Sequence, residues 1–207
     1  MSANLMSLAR SGGKFLKLFG DRKMMKILPY DAEVEYLEAT LTQLIDTGYV
    51  LSASDKIVVQ VYFQADDDSG GRAMLGCPKP KLWITSGLCR FNGENSAAIG
   101  TLRKLGAWNS ISIDKDYCTC NGTTVPMSEG TFKDNSLSLF LFGVNGLPSI
   151  STNGRISSCK IYHSGVLVRD YISVRKGNIG YMYDRVSGQL FGNAGTGEFI
   201  IGPDKTI

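Results

Sequence analysis

Residues 155–172 read RISSCKIYHSGVLVRDYI, two runs in which apolar and polar side chains alternate, joined by Ser164-Gly165. Alternation with a period of two marks a strand with one buried side, and a two-residue joint ending in glycine closes two such runs into an antiparallel hairpin. With His163 opposite Val166, one face carries Ser157, Cys159, Ile161, His163, Val166, Val168, Asp170 and Ile172. The other carries Ile156, Ser158, Lys160, Tyr162, Leu167, Arg169 and Tyr171. The first set is the more apolar and is expected to face the core, because a one-residue slip would place Lys160 and Arg169 there instead.

The rest of the chain beyond Asp31 repeats this grammar. GYMYDRVSGQLFGNAGTGEFIIG, residues 180–202, predicts short strands over 181–184, 189–192 and 198–201, with turns at 185–188 and 194–197. Glycine supplies the turns, and aromatic and β-branched residues suit a pleated, half-buried surface. Further strands are predicted over 33–39, 42–46, 72–76, 81–86, 88–92, 96–101, 108–114 and 136–144. KIVVQVYFQA, residues 56–65, is nearly continuously apolar and predicts a strand buried on both faces. Without helical periodicity, short strands at turn-punctuated spacing predict an all-β fold, a two-sheet antiparallel jelly-roll sandwich. The 207 residues, 43% of them hydrophobic, suffice for one such domain over 31–207.

Residues 1–30 differ. Arg10, Lys14, Lys17, Arg22, Lys23 and Lys26 stand against Asp21 alone, so this arm holds the positive excess of a chain whose formal charge is only +3. Leu5, Leu8, Phe15 or Leu16, and Phe19 recur at spacings that align on a helical stripe, interrupted by Gly12-Gly13. The arm is expected to dock to a partner through Leu5, Leu8, Arg10, Lys14, Phe15, Lys17 and Phe19. Phosphate neutralisation would explain a basic arm, but the remaining domain is slightly acidic with no basic face legible in the sequence, and a basic arm lying on an acidic protein surface fits as well.

The five cysteines are odd in number and lack CxxC spacing, which predicts reduced thiols and neither a zinc site nor a disulfide framework. Cys118 and Cys120 would share one face of a strand. No run approaches the roughly 18 apolar residues of a membrane span, and FLKLF is too short and interrupted for a secretory signal.

Three stretches carry a family resemblance: VEYLEATLTQLIDTGY (34–49), KIYHSGVLVRDYISV (160–174) and GYMYDRVSGQLFGNAGTGEF (180–199). In order and spacing they resemble the concanavalin A-like, laminin-G-like jelly-roll domains of surface and phage proteins of gut bacteria. The resemblance covers about residues 33–203. Leu41 stands where that family usually has glycine, Ser164-Gly165 where it has Asn-Gly, and Ser173 where it has proline. It implies a jelly roll whose final strands pair back near the first.

Glycan hydrolysis on this fold needs two carboxylates facing each other across the scissile bond. The Glu-x-Asp-x-x-Glu strand motif of laminarinase-like enzymes is absent, and for Glu33, Glu35 and the more distant Glu38 the resemblance implies an ordinary solvated edge. His163 is the only histidine, so it is expected to be structural, and no catalytic residue is assigned. Asp66, Asp67 and Asp68 offer oxygen ligands for Ca2+, without EF-hand spacing. Trp83, Trp108, Tyr117 and also Tyr62 are candidate glycan platforms, although a sandwich core has the first claim on such rings.

These readings lead to a non-enzymatic virion surface protein: a head fibre, capsid decoration protein or tail-associated adhesin of a phage. Its arm would bind capsid or fibre subunits, and its domain would meet host-surface or mucus glycans. A homo-oligomer is expected, by analogy with such proteins. The alternatives are a carbohydrate-binding module or adhesin on a gut bacterial surface, and a glycosidase.

Overall fold

A computed structural model of the chain describes residues 28–64, 72–78, 82–91, 96–128, 132, 136–145 and 152–206. Every regular element among the described residues is a strand. In chain order these are β1 (Ala32–Glu33), β2 (Leu37–Thr40), β3 (Ile45–Val50), β4 (Asp55–Phe63), β5 (Leu75–Cys77), β6 (Leu82–Ile84), β7 (Leu88–Arg90), β8 (Ser96–Ala98) and β9 (Trp108–Ile113). They continue with β10 (Tyr117–Cys120), β11 (Thr123–Pro126), β12 (Ser138–Leu141), β13 (Asn153–His163), β14 (Val166–Lys176), β15 (Ile179–Asp184), β16 (Gln189–Phe191) and β17 (Ile200–Ile201). Two antiparallel sheets result: a larger one ordered β11-β10-β9-β4-β13-β14-β15-β16, with β1, β2 and β17 attached, and a smaller one ordered β3-β12-β5-β6-β7-β8. The expected all-β, two-sheet architecture is therefore present.

One core lies between the sheets. Ile57, Val59, Val61, Ile111, Ile113, Cys159 and Ile161 project from the larger sheet, and Ile45, Leu75, Leu82, Ile84, Leu139 and Leu141 from the smaller. The strand predicted to be buried on both faces is buried on one. In β4, Ile57, Val59, Val61 and Phe63 are buried, whereas Lys56 is exposed and Val58, Gln60 and Tyr62 are half-buried. Neighbouring strands shield those outer side chains laterally, but the core lies only on the other side.

The β13–β14 hairpin has His163 opposite Val166, but two bulges alter its faces. Ile161 opposes Arg169 while Tyr162 opposes Leu167, so Val168 is an extra residue on β14. Ser157 is likewise extra on β13, between the Ile156–Val61 and Ser158–Gln60 pairs. Each extra residue re-phases the alternation. Cys159 and Ile161 face the core as expected, but so do Ile156 and Tyr171, which were expected outside. Ile172, expected inside, joins a separate apolar cluster with Val174 and Tyr183, packed against Tyr30, Tyr181 and Leu190. Val166, at the hairpin tip, is 66% exposed.

Two other expectations are corrected. The single strand predicted over 33–39 is divided into β1 and β2. Between them, Glu35 N–H donates to the Pro203 carbonyl and Gly202 N–H to the Tyr36 carbonyl. The strand predicted to end before Thr47-Gly48 runs through that pair as β3, because Gly48 takes φ +64° and the ladder to β12 shifts register nearby. The β10–β11 hairpin was not predicted. Its turn is Asn121-Gly122, both with positive φ, the conformation that favours Asn-Gly between two strands.

Candidate functional site

The outer face of the larger sheet is built by pairing across strands, since directly opposed residues share a face. Glu38 on β2 opposes Arg155 on β13, Arg155 opposes Tyr62 on β4, and Tyr62 opposes Trp108 on β9. The next row sets Ser158 beside Gln60 and Gln60 beside Ser110. A third runs Lys160, Val58, Ser112, Thr119 and Thr124 from β13 to β11.

The aromatic end of this face is closely packed. Tyr62 meets the Trp108 ring edge-on at 5.8 Å between centroids, and Tyr36 lies 6.1 Å from it. The Arg155 guanidinium sits 4.3 Å from the Tyr36 ring centre and 4.9 Å from that of Tyr62. Its Nε donates to Glu38 Oε2 at 2.6 Å, and Gln64 Nε2 donates to Glu38 Oε1 at 2.6 Å. Partial burial opposes the Arg155 charge, but the bond to Glu38 and its negative charge outweigh that, holding the guanidinium above its ordinary pKa. Gly202 lies so close to the Tyr36 ring that a Cβ there would approach it to 2.9 Å.

A fork in the sheet creates a hollow beside this cluster. Along one edge of β13, residues Asn153–Ile156 pair with β2 and residues Ser158–His163 with β14. The Ser157 bulge sits at the divergence. Glu35 and Lys205 come from the segments that fill the fork, and with Gln60, Ser157 and Trp108 they line an open depression of about 320 Å³. A flat ring beside amide, hydroxyl and mixed charged groups can stack on an apolar sugar face while bonding its hydroxyls.

The predicted platform residues do not form one cluster. Trp108 is 40% exposed and Tyr117 is 55% exposed, so the core has claimed neither. Both lie on the outer face of the larger sheet, at opposite ends of it. Trp83 projects from the opposite side of the sandwich, where it lies over Gly76 with Arg90 5.6 Å from its ring centre. Tyr36, Arg155, Gln60, Ser157 and Lys205 were not singled out from sequence. Their assembly depends on pairings between distant segments and on a bulge, neither of which local pattern reveals. The arm residues Leu5, Leu8, Arg10, Lys14, Phe15, Lys17 and Phe19, and Asp66, Asp67 and Asp68, lie outside the described residues.

His163 Nδ1 contacts the buried Asp55 carboxylate at 2.8 Å, and Ser52 Oγ lies 3.3 Å from the same nitrogen. A serine–histidine–aspartate relay needs acid and nucleophile on different ring nitrogens, which this arrangement does not provide. Asp55 also accepts bonds from Tyr49 Oη at 3.0 Å and Ser52 N–H at 2.7 Å, tying the hairpin tip to the β3–β4 loop. Burial, followed by the charge of Asp55, pushes the Tyr49 hydroxyl pKa well up.

The five cysteines are buried and outside any disulfide. Cys118 and Cys120 share the core-facing side of β10 as their spacing requires. No protein-family model matches this chain, and no curated protein matches it.

Proposed function

We propose that the chain is a non-enzymatic surface module that binds glycan through the outer face of its larger sheet. It is carried on a virion as a head fibre, decoration protein or tail-associated adhesin, with residues 1–30 docking it to capsid or fibre subunits. The sandwich is read as a concanavalin A-like jelly roll on the sequence resemblance of its two ends. The observation that carries the glycan reading is the display of Trp108, 40% exposed and braced by Tyr36 and Tyr62 beside a polar hollow. A ring propped open against solvent retains apolar area that a ligand can cover. A cell-surface carbohydrate-binding module would use the same face, so the two readings differ only in the carrier.

A glycan array probed with the full chain tests the binding. At least one glycan is expected to bind, with the signal lost in Trp108→Ala while the thermal transition is retained; a blank array would sink the reading. Deleting residues 2–27 tests the carrier. The shortened chain is expected to fold and to separate from virus particles, and continued co-purification with them would refute docking through the arm.

A further inference from the structure

In the sequence Trp108 and Tyr117 are two separate candidate platforms, and strand register relates them. Cys118 opposes Ile113 and Thr119 opposes Ser112, which brings Tyr117 alongside the end of β9 remote from Trp108. Six residues at roughly 3.3 Å each put the two rings about 20 Å apart along the strand. Between them, Ser110 and Ser112 project outward from β9, Thr119 from β10 and Thr124 from β11. Every one of these side chains is an uncharged hydroxyl.

The hydroxyls are also pre-oriented. Gln60 Nε2 donates to Ser110 Oγ at 2.9 Å, and Thr119 Oγ1 lies 2.9 Å from Thr124 Oγ1. At the Tyr117 end, Asp114 Oδ1 accepts from the N–H groups of Asp116 and Tyr117, fixing the turn, and Lys115 Nζ pairs with Asp116 at 2.7 Å. At the other end stand Glu35 and Lys205. Lys115 is paired with Asp116, Arg155 with Glu38 and Lys205 with Glu33. Lys56 and Lys160, which also face outward, stand on β4 and β13, one and two strands to the side of β9. A polyanion lying along β9 would therefore lose water over its hydroxyls without a counter-charge beneath it.

We propose that the ligand is a linear, uncharged glycan chain lying along β9, with one part seated on Trp108, another on Tyr117 and the hydroxyl floor between. This rests on the glycan reading above and specifies its ligand class. Because the depression beside Trp108 is open and Tyr117 at the other end is 55% exposed, the chain can extend past both rings, so internal stretches of a polymer are bound as well as its ends.

The test runs the full chain through gels cast with barley mixed-linkage β-glucan, glucomannan, arabinoxylan or polygalacturonate. Calorimetry then follows with the disaccharide and hexasaccharide of whichever polymer retards it. One of the three neutral polymers is expected to retard the protein and polygalacturonate is not. The hexasaccharide should bind roughly tenfold more tightly than the disaccharide, a difference typical of one added aromatic anchor. Tyr117→Ala should remove that advantage without changing disaccharide affinity, whereas Trp108→Ala should weaken both.

Equal affinity for the short and long ligands, preference for polygalacturonate, or indifference to Tyr117→Ala would each overturn the extended-chain proposal while leaving glycan binding intact. Failure of every polymer to retard the protein would overturn the extended-chain proposal, and with a blank glycan array it would remove the glycan reading as well.

Discussion

Leu41 carries more conformational information than its neighbours. It holds φ +81°, a region that costs an ordinary L-residue roughly 1–2 kcal/mol, and it occupies a place where the resembling family usually has glycine. Its side chain is 36% exposed, so replacement loses some packing and makes the unfolded chain freer. Relief of backbone strain is expected to offset those losses. Leu41→Gly should leave unfolding free energy within about 0.5 kcal/mol of wild type, measured by urea titration; a fall of 2 kcal/mol or more would show that the conformation carries little strain.

The buried thiols make a second residue-scale statement. Burial raises Cys159 to about 12 and, as the largest cause at each, raises Cys77 and Cys120 to about 11, from an ordinary 9.0. In the unfolded chain these groups ionise near 9.0, while the native state keeps their protons. Stability is therefore unaffected by them below pH 9 and falls as pH climbs from 9 towards 11 and 12. At pH 8 the native protein is expected to resist Ellman's reagent and the denatured chain to react fully. Rapid modification of the native protein, or a urea midpoint that rises from pH 9 to 11, would contradict this.

At the scale of elements, hairpins were more legible than the phase of their faces. Ser164-Gly165 is legible because alternation flanks it on both sides, while Asn121-Gly122, a stronger turn signal, is not, because β10 and β11 are too short to display a period. The bulges at Ser157 and Val168 left no local signature, so Ile156 and Tyr171 were assigned to the wrong face. The C-terminal clasp shows how tightly such connections fit. Leu44 N–H donates to Asn193 Oδ1 at 3.0 Å, Ala194 N–H to the Leu44 carbonyl at 2.7 Å, and Thr196 N–H to the Thr42 carbonyl at 3.0 Å. A Cβ on Gly195 would run into the Thr42 carbonyl oxygen, and backbone cannot swing aside as a side chain can. Gly195→Ala is expected to cost about 2 kcal/mol, read as a lower urea midpoint. Gly165→Ala, where nothing lies within 4 Å but φ is +82°, should cost about 1 kcal/mol from backbone strain alone. Equal stability of Gly195→Ala and wild type would mean that the clasp is loose.

For the molecule as a whole, the two-sheet antiparallel architecture was legible because burial between two layers imposes a period of two on nearly every segment. The candidate site was less so. Glu38 and Arg155 meet across 117 residues of sequence, and the sequence around Trp108 does not show which face its strand turns outward. Its neighbour Asn109 is fully buried, so a one-residue change of phase would have reversed their roles. Sequence thus supplied the inventory of rings, and strand pairing decided which of them a ligand can reach.

The central claim, that the ligand lies on the outer face of the larger sheet, is open to a direct reading because the chain has only two tryptophans, on opposite sides of the sandwich. Each gives one indole N–H resonance in a nitrogen–proton correlation spectrum, assignable with Trp83→Phe and Trp108→Phe. On titration with the hexasaccharide of a retained polymer, the Trp108 resonance is expected to move progressively to saturation while that of Trp83 stays in place. A shift of Trp83 with Trp108 unmoved would contradict the account.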